Sequence, residues 1–291
     1  MFDLITADLK FKQDWFLSQK SWFTKNIRIF LEPGTIASIV YRYGNWTRTV
    51  SPNLLKLLVR IPYFFAKAIV VTAFGIYIPS KAKIGKGFTI HNFSGIFISE
   101  GEMGENVIVF QGVTIGHLRG QPAPPKIGNN VLLKNSLIGN NTNILDGAVV
   151  GKKGFGFFPG NKNIRYPHIG AVIIGDNVEI GCNNTIDRGS LSNTVIGDGT
   201  FLDNQVHIAH NVKIGKNCII TGQVGFAGSS SIGNNVMIGG QAGISGHLRI
   251  GDNVQIGGGS GVIKDIPSNI KVMGYPAKNI RNFLRENKTN D

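Results

Sequence analysis

TVIGDGTFLDNQVHIAHNVKIGKNCIITGQVGFAGSSSIGNNVMIGGQAGISGHLRIGDNVQIGGGSGVI, residues 194–263, decides the fold. An aliphatic or aromatic residue returns at every sixth position: Ile196, Leu202, Ile208, Ile214, Ile220, Phe226, Ile232, Ile238, Ile244, Ile250, Ile256 and Val262. An α-helix repeats at 3.6 residues and a strand at 2, so neither gives this period. A six-residue period is that of a parallel β-helix, where each hexapeptide makes one short face and three faces make a coil. Residues 18 apart then stack one strand spacing apart, about 4.8 Å.

Upstream the period is present but interrupted. Ile84, Ile90 and Ile96 are in step, as are Ile127 and Leu133, then Ile138, Ile144 and Val150, then Ile174, Ile180 and Ile186. Insertions at 118–126 (LRGQPAPPK), 155–170 and 191–193 break the phase. In a solenoid such segments leave the coil as loops, often on the binding face. Gly follows many of the repeat residues and Asn comes soon after, as in IGDNV and IGNNV. Both residues tolerate positive φ, which tight corners require. Tandem amphipathic helices do not fit, because the chain has 39 glycines and each costs about 1 kcal/mol inside a helix. The expected fold is an all-β solenoid, a left-handed parallel β-helix.

Residues 1–75 lack the hexad and read as helices over 3–16, 22–30, 35–48 and 52–74, punctuated by Pro33-Gly34, Ser51-Pro52 and Gly75. The apolar run 54–78 is interrupted by Lys56, Arg60, Pro62 and Lys67. Its uncharged remainder is too short to span a bilayer. A helical cap packed on the first coil, or on neighbouring subunits, is expected, with a helix lying on a membrane surface as the other arrangement. From 275 the chain leaves the repeat, and a short basic helix is expected over 279–288. The organisation is thus a helical region 1–75, a β-helix domain 76–274, and a helix with a tail over 275–291.

The formal net charge is +13. Residues 1–75 hold 10 Lys/Arg against 4 Asp/Glu, and the remainder 20 against 13. Such an excess favours anionic partners. Nucleic acid is not expected, because no recognition motif accompanies the charge. Cys182 and Cys218 make no disulfide framework and read as small core or corner residues. No cleavable signal sequence is visible in 1–20, so a cytoplasmic location is expected, peripheral at the inner membrane if the helices touch lipid.

Chemistry must come from a site on this scaffold. Of the six histidines, His210 lies two places after Ile208. Gly228 holds the same place 18 residues on, so its backbone should stack against that histidine. His247 is two coils and one position beyond His210, near the same edge. Asp203 precedes His210 by one face and one position, which makes it a candidate orienting carboxylate. A neutral imidazole can take a proton near neutral pH. A metal site built from His207, His210 and His247 is disfavoured, because His207 and His210 are expected on different faces. A histidine at a coil edge can also serve only to cap hydrogen bonds.

Residues 151–288 resemble the UDP-3-O-acylglucosamine N-acyltransferase (LpxD) family of lipid A synthesis. The resemblance rests on GFGFFPGNKNIRYPHIGAVIIGDNVEIGCNNTIDRGSL (154–191), TVIGDGTFLDNQVHIAHNV (194–212) and QAGISGHLRI (241–250). It implies a homotrimer with active sites between subunits. It makes His210 of IAHN the catalytic base, paired with Asp203 of DNQ. It makes the Gly228 N–H the oxyanion donor and gives His247 a part in binding the acyl donor. Asn204, Asn211 and Lys264 are the accompanying substrate-contact candidates. The implied reaction moves an acyl group from an acyl-carrier-protein thioester to the 2-amine of a UDP-linked glucosamine, with no cofactor and no metal. The carrier protein is acidic, which suits the basic chain.

Residues 1–149 resemble instead the serine acetyltransferase group and related sugar O-acetyltransferases. The matching pieces are LEPGTIASIVYRYGNW (31–46), AKIGKGFTIHNFSGIFIS (82–99) and IVFQGVTIG (108–116). That resemblance marks His91 as a second candidate site. The family's aspartates are replaced by Ile90 and Tyr77, however, and its acceptor-loop His-Pro is missing from 121–126. No counterpart of the uridine-binding domain that opens the LpxD family is found in this half. Two other functions therefore stand beside N-acylation: acetyl-CoA-dependent O-acetylation of serine or a sugar, and a trimeric scaffold without catalysis.

Overall fold

The computed structural model describes residues 1–116, 124–158, 160 and 162–274. Short strands wind into three parallel sheets of 9, 10 and 9 strands, each running the length of the solenoid. Pairing follows the hexad register: Ile208 pairs with Phe226, Phe226 with Ile244, and Ile244 with Val262. Each pair is 18 residues apart, as the period requires. The hexad side chains point inward, and Ile208, Ile220, Phe226 and Ile238 are essentially sealed from solvent.

A second inward column accompanies the first, two places ahead of it. Val206, Val212, Cys218, Val224, Ser230, Val236 and Ala242 are all buried. Cys218 is therefore a small core residue, with a thiol pushed up in pKa chiefly by burial. Cys182 is partly exposed, and both thiols are free.

The corners bear out the expectation of positive φ at Asn, and at Gly199 (67°) and Gly259 (68°), and extend it to other residues. Positive φ falls three places after the hexad residue, at Gln205 (61°), Asn211 (62°), Asn217 (55°), Ser229 (64°) and His247 (62°). The glycine directly after the hexad residue serves close approach instead. A Cβ at Gly215 would stand 2.5 Å from the Gly233 carbonyl oxygen of the next coil.

Helices α1 (Phe2–Phe16), α2 (Trp22–Asn26), α3 (Pro33–Trp46) and α4 (Asn53–Phe74) precede the first strand, Ile76–Tyr77. A 3₁₀ turn, Arg28–Leu31, replaces the end of the helix expected over 22–30. Pro33 sits at the first position of α3, where its missing N–H costs nothing. Buried side chains dock α1 and α3 on the first coil. Arg42 pairs with Asp8 (Nε to Oδ2 2.8 Å) and donates to the Ile84 carbonyl at 2.6 Å. Asp8 also accepts from the Phe88 N–H at 2.9 Å. Lys12 binds Glu32 at 2.7 Å and Thr35 Oγ1 at 2.8 Å, and donates to the Ile90 carbonyl at 3.2 Å. The helices thus satisfy backbone acceptors that an open solenoid end would leave bare.

The insertion at 155–170 forms a two-stranded antiparallel hairpin, Phe157–Phe158 with Ile164–Arg165. Most of the Pro-rich loop expected at 118–126, and all of the C-terminal helix expected over 279–288, lie outside the described residues.

Candidate active site

Strand His207–Ile208 leads into the corner that carries His210. Three further coils stack above it, and their outward strand positions are Gly225, Gly243 and Gly261. None of these glycines has an atom within 4 Å of where a Cβ would stand. The missing side chains leave an open groove of about 570 Å³ along the sheet. His207, His210, Ala227, Gly228, Ser245 and Ile263 are among its lining residues.

His210 stands at the foot of this groove, largely buried. Gly228 lies against its ring: a Cβ there would be 2.7 Å from Cε1 and 2.8 Å from Nε2. Only glycine leaves the imidazole that space. The Gly228 N–H has no backbone acceptor among the described residues, while its carbonyl accepts from the His247 N–H at 3.1 Å. His247 is exposed at the next corner. Lys264 follows Val262 by two places, in register with His210 and Gly228, and is exposed on the same edge three coils from the histidine, about 14 Å along the axis.

Asn211 fixes the other side of the ring. Its Oδ1 accepts from the Ser190 N–H at 2.8 Å, which identifies Nδ2 as the donor group. Nδ2 then donates to Ser190 Oγ at 2.7 Å and faces His210 Nδ1 at 3.2 Å. In the resting neutral ring the proton accordingly sits on Nε2, toward the groove. Burial, followed by the charges of His168 and His247, holds the His210 pKa below the ordinary imidazole value. The ring is therefore neutral near pH 7.

Asp203 is not brought to His210. It follows Leu202 on the preceding corner and is exposed, with its Oδ2 beside Gly222. One face separates the two corners, so the expected pairing does not occur within one chain. Asn204 shares the Asp203 corner and accepts from the Cys182 N–H at 2.7 Å, which gives it a structural bond there. His207, expected on a different face, lines the same groove as His210. Among the described residues, no group of three metal-ligating side chains is assembled.

The sequence reading missed two residues. His168, from the hairpin insertion, packs edge-on against His210 with ring centroids 5.2 Å apart. It is buried, its Nδ1 lies 3.2 Å from the Tyr166 carbonyl, and its Nε2 has no hydrogen-bond partner among the described residues. The other is Asp187, buried beneath His207. Its Oδ2 is 3.9 Å from His207 Nε2 and its Oδ1 is 3.6 Å from Lys152 Nζ. Burial pushes its carboxyl up in pKa, opposed chiefly by Lys152 and His207. The IDRGSL and PHIG segments were the available signals, but neither spacing links them to His210.

His91 occupies a different setting. Its ring stacks on Phe16 of α1 with centroids 4.0 Å apart and planes 6° apart, and it meets Phe110 edge-on at 5.2 Å. Burial and the Lys12 charge lower its pKa.

Residues 193–228 and 229–264 match the bacterial transferase hexapeptide (six repeats) family. The UDP-3-O-acylglucosamine N-acyltransferase of Agrobacterium fabrum is 54% identical over 152 residues, which is 52% of this chain and 43% of that protein. The enzyme of the same name from Sinorhizobium fredii is 56% identical over 153 residues, with the same shares covered. This chain therefore spans less than half the length of the curated relatives it matches. Among solved structures, LpxA from Acinetobacter baumannii aligns with a TM-score of 0.54 at 28% identity, over 71% of this chain and 76% of that one. The chain is a left-handed parallel β-helix of hexapeptide repeats, similar in its second half to the UDP-3-O-acylglucosamine N-acyltransferases.

Proposed function

We propose that the chain transfers an acyl group from an acyl-carrier-protein thioester to the amine of a UDP-linked amino sugar. The observation that carries this reading is the stacking of Gly228 on the His210 ring at the foot of the glycine-floored groove. In this reading the groove seats the acyl chain, with its thioester carbonyl at the His210 end. The sugar amine attacks the carbonyl carbon, and the developing oxyanion takes the free Gly228 N–H. One such donor contributes about 3 kcal/mol. The C–S bond then breaks, the thiolate leaves, and the proton of the new ammonium passes to His210. Base action at Nε2 requires the Nδ1–H tautomer, so the ring must give up its Asn211 contact as the amine binds. The unpartnered Nε2 of His168 offers a further acceptor beside the attacking nitrogen.

The reading includes a trimer. Phe201, Ile219 and Met237 form an exposed column along one sheet, and an apolar face of this kind calls for cover. Asp203 and Asn204 sit on the adjoining corner, so in a trimer they would serve a neighbouring chain's His210. Lys264, on a chain of net charge +13, would receive the acidic carrier.

A donor screen tests the proposal: acyl-carrier thioesters against acyl-CoAs, with UDP-linked glucosamine acceptors. Carrier-dependent N-acylation that His210→Ala abolishes supports it. Turnover unchanged in His210→Ala, or acetyl-CoA turnover lost only in His91→Ala, would overturn it. Co-assembled His210→Ala and Asp203→Ala chains should recover part of the activity if Asp203 works across the subunit boundary.

A further inference from the structure

We infer that α4 lays the N-terminal end of the solenoid flat on an anionic lipid surface. Leu54, Leu57, Leu58, Ile61, Phe64 and Phe65 are all exposed on this helix, Leu54 at 71% and Phe64 at 69%. At 3.6 residues per turn they fall on one side. The opposite side is packed: Val70 is buried, Tyr63 fills the space beside Gly44 of α3, and Tyr43 of α3 donates to the Val59 carbonyl at 3.0 Å. The helix is therefore held in place with its apolar face outward.

Charge identifies the occupant of that face. Residues 53–74 contain no Asp or Glu; Lys56 and Arg60 follow one another beside the packed side, while Lys67 lies over the Tyr77 ring, 4.7 Å from its centroid. Of the 10 basic and 4 acidic side chains in 1–75, Arg42 and Lys12 are tied up by Asp8 and Glu32. Eight basic groups remain against Asp3 and Asp14. A second copy of this face would oppose basic edge to basic edge, and the rest of the chain is net basic as well, 20 basic against 13 acidic. An anionic bilayer offers both acyl depth for the leucines and phenylalanines and headgroups for the cations.

The helix is long enough to cross a bilayer, at 22 residues with mean hydropathy 1.7 in its most apolar window. It lies flat instead, because three cations and Pro62 are distributed along it and one side is committed to α3. The His207 strand is five rungs from the first strand of its sheet, Thr89–His91, or about 24 Å along the axis. The groove thus stands clear of the lipid, open to a soluble donor.

Vesicle co-sedimentation of the full chain tests this, with phosphatidylcholine alone against phosphatidylcholine containing phosphatidylglycerol. Binding is expected only to the anionic vesicles, and should weaken with salt. Lys56→Gln with Arg60→Gln should weaken it about 25-fold, since each cation near such a surface contributes about fivefold. Ile61→Asp with Phe65→Asp should abolish it while the oligomeric mass and thermal midpoint stay unchanged. No binding to anionic vesicles, or equal binding in the Gln variant, overturns the inference. A fall in oligomeric mass in the Asp variant also overturns it, by assigning the face to a second copy of the chain.

Discussion

The first coils and the last coils come from the same repeat and treat a histidine in opposite ways. Near the start, α1 closes over His91, and the ring is spent on packing between Phe16 and Phe110. Near the end no helix covers the sheet among the described residues, and His210 is instead framed by the hairpin insertion on one side and by Gly228 on the other. Burial lowers both pKa values first. His91 ends its strand one place after the hexad residue Ile90, whereas His210 lies two places after Ile208, beyond the strand; what covers each position decides whether its imidazole is packed away or faces a groove.

The largest effect that sharpens this contrast is expected at the two rings themselves. His210→Ala should lower acyl transfer by about 10²–10⁴, the usual contribution of a general base. His91→Ala should leave the rate within about twofold and lower the thermal midpoint, because a stacked aromatic pair contributes about 0.5–1.5 kcal/mol. Steady-state rates and melting curves on both variants would break the comparison if the two losses exchanged places.

Gly228→Ala comes next. Its methyl would press on the His210 ring and obstruct the oxyanion donor, so a loss of roughly 100-fold in rate is expected. A smaller effect is expected from Gly243→Phe, whose Cβ would meet no atom within 4 Å and whose ring would occupy the groove. Long-chain donors should lose about 10-fold or more in kcat/KM, short ones should lose little, and the melting point should hold. Equal losses for all chain lengths would detach the groove from the acyl chain.

The smallest effects concern pH. With the His210 pKa depressed, the acid limb of the rate profile should lie below the ordinary imidazole value of about 6.5. The same depression means that the unfolded chain binds this proton more tightly, so stability is lost as pH falls from the unfolded pKa toward the folded one. Asn211→Asp puts an acceptor beside Nδ1. It should move the acid limb upward by up to about one unit, as nearby opposite charge does. An unmoved limb would remove Asn211 from control of the ring.

The vertical neighbours in the site were legible from spacing alone. His210 and Gly228 stack because 18 residues make a coil, and His247 follows one position off that column; Lys264, on the same column, was marked only by the family resemblance. Asp203 was misplaced because counting one face and one position along the chain crosses a corner, which turns the side chain to another edge. Asp187 was invisible for a different reason. The register shifts between Val150 and Lys152, and that shift pairs Lys152 with Asp187 in the sheet. No hexad count contains it. His168 reaches His210 only because the insertion folds back as a hairpin, and an insertion has no period from which to read its path.

The amino-acid order by itself determined the winding, the inward columns and the stacking of His210 under Gly228, because a short-range period fixes which side chains face inward at every coil. Tertiary structure alone decided which corners stay open, which histidine is buried under a helix, and which carboxylate lies beneath the groove. Those outcomes depend on how helices and insertions, which lack the repeat, pack against it.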